Sequence, residues 1–244
     1  MLKKIEGIVI SEKAHGETSK IINILTKDYG VLGIMAKGAR SLKSEYRNST
    51  TKLTCGIFNL SYKENKLSTL IGVDVIDSFK NIKKDISKIS YASYLCELSH
   101  QVMKHKNNEN IYTLLIDSLK KIDEGFNEAI ITNILELKYL DYLGVMPIIN
   151  SCAICGSKTA IATISSEKGG YICNNCLSTE KIVSDKAIKL IRMFYYVNIS
   201  QISTLNISSN VEKEINDFLD DYYDRYTGLY LKTKNFLKNL SKIN

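Results

Sequence analysis

The stretch Leu53-Thr-Cys-Gly-Ile-Phe58-Asn-Leu-Ser-Tyr62-Lys-Glu-Asn-Lys66-Leu67-Ser-Thr-Leu-Ile-Gly-Val-Asp-Val75 decides the fold of the first third of the chain. Phe58, Leu60 and Tyr62 alternate with Ile57, Asn59 and Ser61, a period of two that puts successive side chains on opposite faces of a strand. The polar run Lys63–Lys66 is a turn, and Leu67–Val75 is the next strand. Three more strands precede this pair. Ile5–Lys13 is apolar and β-branched, Thr18–Asp28 carries Ile21, Ile22, Ile24 and Leu25, and Val31–Ala36 follows the Tyr29-Gly30 turn. Lys37-Gly38 closes the third strand and opens a polar stretch to Lys52. Five strands close most economically into a small barrel, because closure removes sheet edges. The oligonucleotide/oligosaccharide-binding (OB) barrel is the common five-strand form, and the strand count alone also suits an SH3-like barrel.

From Asp85 the apolar period becomes helical. Ile86, Ile89, Ala92, Leu95, Leu98 and Val102 step by three or four, as do Ile111, Leu115, Leu119 and Ile122. A third helix runs from about Asn127 to Leu143, and Gly144 followed by Pro147 ends it. Ser184 caps a short helix carrying Ile188, Ile191 and Tyr195. Ser209-x-x-Glu212 reads as a capping box opening a long helix through Ile215, Phe218, Tyr222, Tyr226, Leu229 and Leu237, with Gly228 inside it. The expected class is α+β: an OB barrel over residues 1–80, then a helical domain over 81–244 with a cysteine module inserted at about 150–180.

At ~150 residues per domain, 244 residues make one large or two smaller domains, long enough to need no disulfide framework. A 44% apolar content excludes wholesale disorder. No apolar run approaches the ~18 residues of a membrane span, so no membrane partner is expected. The apolar run after Met1-Leu-Lys-Lys ends at Ser11, too short for a signal-peptide core. The expected location is cytoplasmic, where six cysteines stay reduced. The net charge of +7 is uneven: residues 1–80 hold +5, 81–150 hold −1, 151–180 are neutral and 181–244 hold +3. Basic ends suit a polyanionic partner.

Cys152-Ala-Ile-Cys155 and Cys173-Asn-Asn-Cys176 form two Cys-x-x-Cys pairs separated by seventeen residues. Two intervening residues let a tight turn aim both sulfurs at one ion, and zinc takes four such ligands in a tetrahedron. Gly156 supplies the backbone freedom of the knuckle. Thr163–Tyr171, with Gly169-Gly170, reads as a hairpin returning the second pair to the first. Four thiolates close the coordination sphere, so a bound zinc is structural. A deaminase would need His-x-Glu and Pro-Cys-x-x-Cys, and neither occurs. Cys55 and Cys96 read as buried apolar residues. No P-loop, Gly-x-Gly-x-x-Gly or nucleophile elbow is present, and His15, His100 and His105 sit in no catalytic pattern. No catalytic residue and no enzymatic activity are expected.

Several runs recur together in one order: Gly7-Ile-Val-Ile, Gly16-Glu17, Ile24-Leu25-Thr26, Tyr29-Gly30, Lys37-Gly38-Ala39-Arg40 and Lys43-Ser44. Tyr91-Ala-Ser-Tyr94, Glu136-Leu-Lys138, Leu143-Gly144 with Pro147, and the cysteine module with Gly169-Gly170 follow. This series resembles the RecO family of bacterial recombination mediators over nearly the whole chain. Ser19 stands where many members carry an acidic residue. The resemblance implies an N-terminal OB barrel, a helical domain carrying the zinc module, and a non-enzymatic protein that binds single- and double-stranded DNA and anneals complementary strands. It also implies partnership with RecR, and commonly with the single-strand-binding protein, in loading the RecA recombinase, so that the protein joins the nucleoid during repair.

Both readings meet in the polar stretch after the third strand. Lys37, Arg40, Lys43 and Arg47 leave a strand end and enter a loop that presents cations to phosphates without burying them. Their spacing carries no base code, so little sequence preference is expected. The alternative class is a zinc-ribbon transcription or translation factor, which needs a recognition element; no helix-turn-helix signature is seen. A nuclease would need an acidic metal cluster, and none is apparent.

Overall fold

The computed structural model describes residues 1–240, the side chains of Asn235 and of 238–240 excepted. The chain forms two compact units. The first comprises Met1–Glu124 and the described residues from Leu231; the second is Gly125–Tyr230.

In the first unit, β1 (Leu2–His15), β2 (Ser19–Thr26), β3 (Val31–Ala36), β4 (Cys55–Ser61) and β5 (Ser68–Asp77) form a closed barrel in the order β1-β2-β3-β5-β4. The β3–β5 pair is parallel and the others are antiparallel. This is the OB arrangement, and it resolves the choice against an SH3-like barrel. Ile5, Val9, Ile22, Ile24, Ile34, Phe58 and Leu60 fill the interior, each contributing about 1.5–3 kcal/mol on burial. A bulge in β1 between Val9 and Ser11 lets one long strand curve while pairing with both β2 and β4. Ile8, Val9 and Ile10 are buried in succession, so both faces of β1 are covered there. The outer cover comes from α2 (Ile86–His105) and α3 (Glu109–Asp123), which follow a one-turn α1 (Tyr46–Ser49) in chain order. Tyr112 of α3 donates its hydroxyl proton to Glu6 at 3.1 Å.

In the second unit, α4 (Glu128–Tyr142) is apolar nearly all round and packs against both α5 (Asp185–Tyr196) and α6 (Ser209–Tyr226). Val145 and Gly144 donate their N–H groups to Leu140 and Asp141, a Schellman stop at the expected Gly. Three short strands, β6 (Ile148–Cys152), β7 (Ile161–Ser165) and β8 (Gly170–Cys173), form a sheet in the order β6-β8-β7.

Two local expectations are corrected. The capping box does not form: Ser208, not Ser209, precedes the helix, and Glu212 instead accepts a hydrogen bond from Asn127 at 3.1 Å. The long last helix is two helices. It stops at Tyr226, Gly228 takes φ +61°, and α7 (Lys232–Leu240) begins anew in the first unit, packed on α2. The Glu97 carboxylate accepts the first N–H groups of α7, from Lys232 and Thr233 at 3.1 and 2.9 Å, and so fixes that fresh start.

Candidate metal centre and nucleic-acid interface

The cysteines stand where strands end. Cys152 is the last residue of β6 and Cys173 the last of β8, and both are buried. Cys155 and Cys176 lie on the turns that follow. In the first turn the Gly156 N–H donates to the Cys152 carbonyl at 2.9 Å, with Gly156 at φ +76°, a conformation a Cβ would strain. In the second, the N–H groups of Cys176 and Leu177 both donate to the Cys173 carbonyl at 3.0 Å. Each turn is tied to the module: Ala153 N–H to the Tyr171 carbonyl at 2.7 Å, and Asn174 N–H to the Ala160 carbonyl at 2.9 Å. A Cβ at Gly170 would lie 2.3 Å from the Ile148 carbonyl oxygen, so glycine is what lets β6 and β8 approach.

The four Sγ atoms lie within 4.8 Å of one another, with Cys155 and Cys173 3.6 Å apart. Zinc–sulfur bonds of about 2.3 Å in a tetrahedron give sulfur–sulfur edges of roughly 3.8 Å, so the donor set fits such an ion. All four thiols are free of disulfides. Burial opposes the Cys152 thiolate, but N–H groups of Cys155, Cys173 and Ile154 and the Cys155 thiol outweigh it and bring Cys152 down to about 6. Cys176 is pushed up to about 12, first by hydrogen bonding with the Cys155 thiol and then by burial. A divalent cation bound to sulfur favours the thiolate form. The cluster is able to hold a metal ion.

In the first unit, Lys37, Arg40, Lys43 and Arg47 are all exposed. The backbone beneath them is anchored. Ala39 packs into the barrel core and Tyr46 against it. Tyr46 donates its hydroxyl proton to the Ile71 carbonyl at 2.6 Å. The Gly38 N–H donates to Ser19 Oγ at 3.2 Å, and the Arg40 N–H to the Thr18 carbonyl at 2.7 Å. The Arg40 guanidinium also donates from Nη1 to the Gly16 carbonyl at 3.0 Å, so Arg40 braces the β1–β2 turn. Lys37, Lys43 and Arg47 form no ion pair among the described residues. Glu45 is the one acid between Lys37 and Lys52.

One group escapes sequence reading. Lys3 Nζ lies 4.5 and 4.2 Å from the ring centroids of Tyr29 and Tyr62. These residues meet only through barrel register, which sets Leu2 opposite Ser61. They lie at the end of the strands away from the Lys37–Arg47 segment.

A closed OB barrel bearing an exposed basic loop, followed in the chain by a helical unit with a four-thiol cluster, defines a two-part protein with a potential metal centre. The family model described as "Recombination protein O N terminal" matches residues 1–79, and "Recombination protein O C terminal" matches 83–235. The chain belongs to the RecO family, a family of DNA repair and recombination. Among its relatives, the DNA repair protein RecO of Listeria innocua is 34% identical over 245 residues, spanning 99% of this chain and 96% of its own. That of Bacillus pumilus is 34% identical over 247 residues, and that of Bacillus subtilis 32%, each spanning 100% of this chain and 96% of its own. No helix among the described residues is long and apolar enough to cross a membrane.

Proposed function

We propose that this chain is a non-enzymatic mediator of DNA repair and homologous recombination in the bacterial cytoplasm, joining the nucleoid during repair. It binds single- and double-stranded DNA, anneals complementary strands and, with RecR, helps load RecA onto DNA coated by single-strand-binding protein. Family membership over the full chain supports the role. The observation that carries the DNA site is the Lys37–Arg47 segment: four exposed cations on a backbone pinned to the barrel. Their charges meet phosphates, while base edges stay free to pair. Annealing follows if two strands are neutralised and held together in that way. The functional division falls near residue 80, with the barrel carrying DNA contact.

The metal is zinc, held by Cys152, Cys155, Cys173 and Cys176, and its role is structural. Four thiolates fill a tetrahedral sphere and leave no position for a reacting water. When bound it ties the ends of β6 and β8 together.

Complementary labelled oligonucleotides, mixed with the protein and magnesium, test this reading. Accelerated annealing with intact strands is expected. Nicked strands would overturn the non-enzymatic assignment, and absence of DNA binding would overturn the mediator role.

A further inference from the structure

Strand β5 carries an open edge that the barrel leaves unpaired. It pairs with β3 only at Ser68 and Thr69. From Leu70 onward its strand partners among the described residues all lie on β4. Along Gly72–Asp77, therefore, no strand among the described residues lies on the second side, and alternate residues turn their N–H and C=O groups outward. α1 packs against β5, and its Tyr46 hydroxyl donates to the Ile71 carbonyl, so the open run begins beyond that contact. The side chains on this strand are apolar as well as open: Ile71 is 47% exposed, Val75 49% and Ile76 56%. Free backbone groups beside exposed β-branched residues are what an added strand recognises.

Charge selects the occupant. From Leu67 to Phe79 the sequence holds Asp74 and Asp77 and no Lys or Arg, within a region of +5. Asp77 accepts the Phe79 N–H at 2.8 Å and has the Lys83 ammonium nearby. Asp74 is exposed and held by the Asn59 amide at 3.3 Å. A DNA backbone is repelled by this carboxylate. A second copy paired antiparallel about the centre of Gly72–Asp77 would bring Asp74 within one position of its own counterpart. We infer that the β5 edge docks an extended segment of another protein, alternating apolar residues with Lys or Arg, which adds to the barrel as a sixth strand. The open run is six residues, roughly 20 Å of strand, and a cation of the segment pairs with Asp74.

The test uses the full chain and an eight-residue peptide alternating Lys and Val, with amide hydrogen exchange as readout. The Lys/Val peptide should slow exchange within Gly72–Asp77. An alternating Glu/Val peptide, or the Lys/Val peptide N-methylated at every residue so that neither edge can donate, should not. Asp74→Lys, at an exposed position, should weaken the Lys/Val peptide by about two- to fivefold, the upper range for one exposed ion pair, and Ile76→Lys should weaken it without altering thermal stability. Equal protection by the N-methylated peptide would overturn strand addition. Protection that grows with protein concentration alone would assign the edge to a second copy, and protection by oligothymidylate would assign it to DNA; either overturns the inference, as does no protection with any peptide.

Discussion

The cysteine module and the Lys37–Arg47 segment each gather four like side chains, but by different means. In the module, strand ends, two hydrogen-bonded turns and a close strand approach that only Gly170 allows bring four sulfurs within 4.8 Å. In the loop, the backbone is anchored at Ala39 and Tyr46, while Lys37, Lys43 and Arg47 extend into solvent. A coordination sphere tolerates errors of tenths of an ångström, whereas a phosphate needs only a cation within reach. The difference teaches where each function is vulnerable: the module fails as a unit, and the loop fails by degrees.

The sharpest break of that contrast is Cys173→Ser. It removes a buried ligand from a site whose binding free energy is folding free energy, about 10–16 kcal/mol for small zinc modules. Elemental analysis should show zinc lost from the variant and one equivalent in the parent, and residues 150–180 should lose their exchange protection. A variant that retained both would make the module as tolerant as the loop.

Gly170→Ala probes the same unit without touching a ligand. Its Cβ would meet the Ile148 backbone, which has no flexible end to swing aside. Overpacking of this kind costs about 1–3 kcal/mol, read as a lower midpoint in denaturant titration, with metal stoichiometry kept.

These two effects also show what was legible in the chain. Cys-x-x-Cys pairs, the Gly169-Gly170 turn and the period of Leu53–Tyr62 are local signals, and each is found in the structure. Strand β6 was not legible: its pairing with β8 is registered only at Ile148 and Cys152, with a shift between, so no alternating run marks it. The capping box failed because the helix starts one residue early, after Ser208, and Glu212 pairs with Asn127, 85 positions away, which no local pattern reveals. Lys3, Tyr29 and Tyr62 likewise meet through register alone. The four loop cations were legible as a basic run, whereas the tie from Arg40 to Gly16 needed the β1–β2 turn in place.

The double variant Arg40→Ala/Arg47→Ala tests failure by degrees. If four cations contact phosphates, log K should fall with log salt at about −4 on duplex and about −3 on single strands. Losing two contacts should flatten the slope by roughly one unit each and weaken binding roughly tenfold at moderate salt, across all sequences alike. Thermal stability should barely move, because neither side chain is in the core. The single variants should differ: Arg47→Ala removes charge alone, while Arg40→Ala also frees the β1–β2 turn and raises amide exchange at Gly16–Ser19. Charge reversal at Lys232 and Lys238 is the control, the Lys238 side chain lying outside the described residues. A larger loss of affinity there would move the DNA site off the barrel.

The smallest expected effect comes from crossing the two sites. Stripping metal with a chelator should unfold the module, yet the barrel's core of Ile5, Val9, Ile22, Ile24, Ile34 and Phe58 contains no residue of the second unit. Each unit has its own buried side chains, so the loop cations keep their anchors when the thiols lose their ion. Affinity for a single-stranded oligonucleotide should therefore change by less than about twofold, within the few tenths of a kcal/mol expected of sites without shared partners. Titrations at matched ionic strength, before and after chelation, measure it, with hydrogen exchange confirming that the module has opened. A drop comparable to that of the arginine pair would show that the module itself supplies phosphate contacts or holds the loop in place, and the two sites would then have to be treated as one.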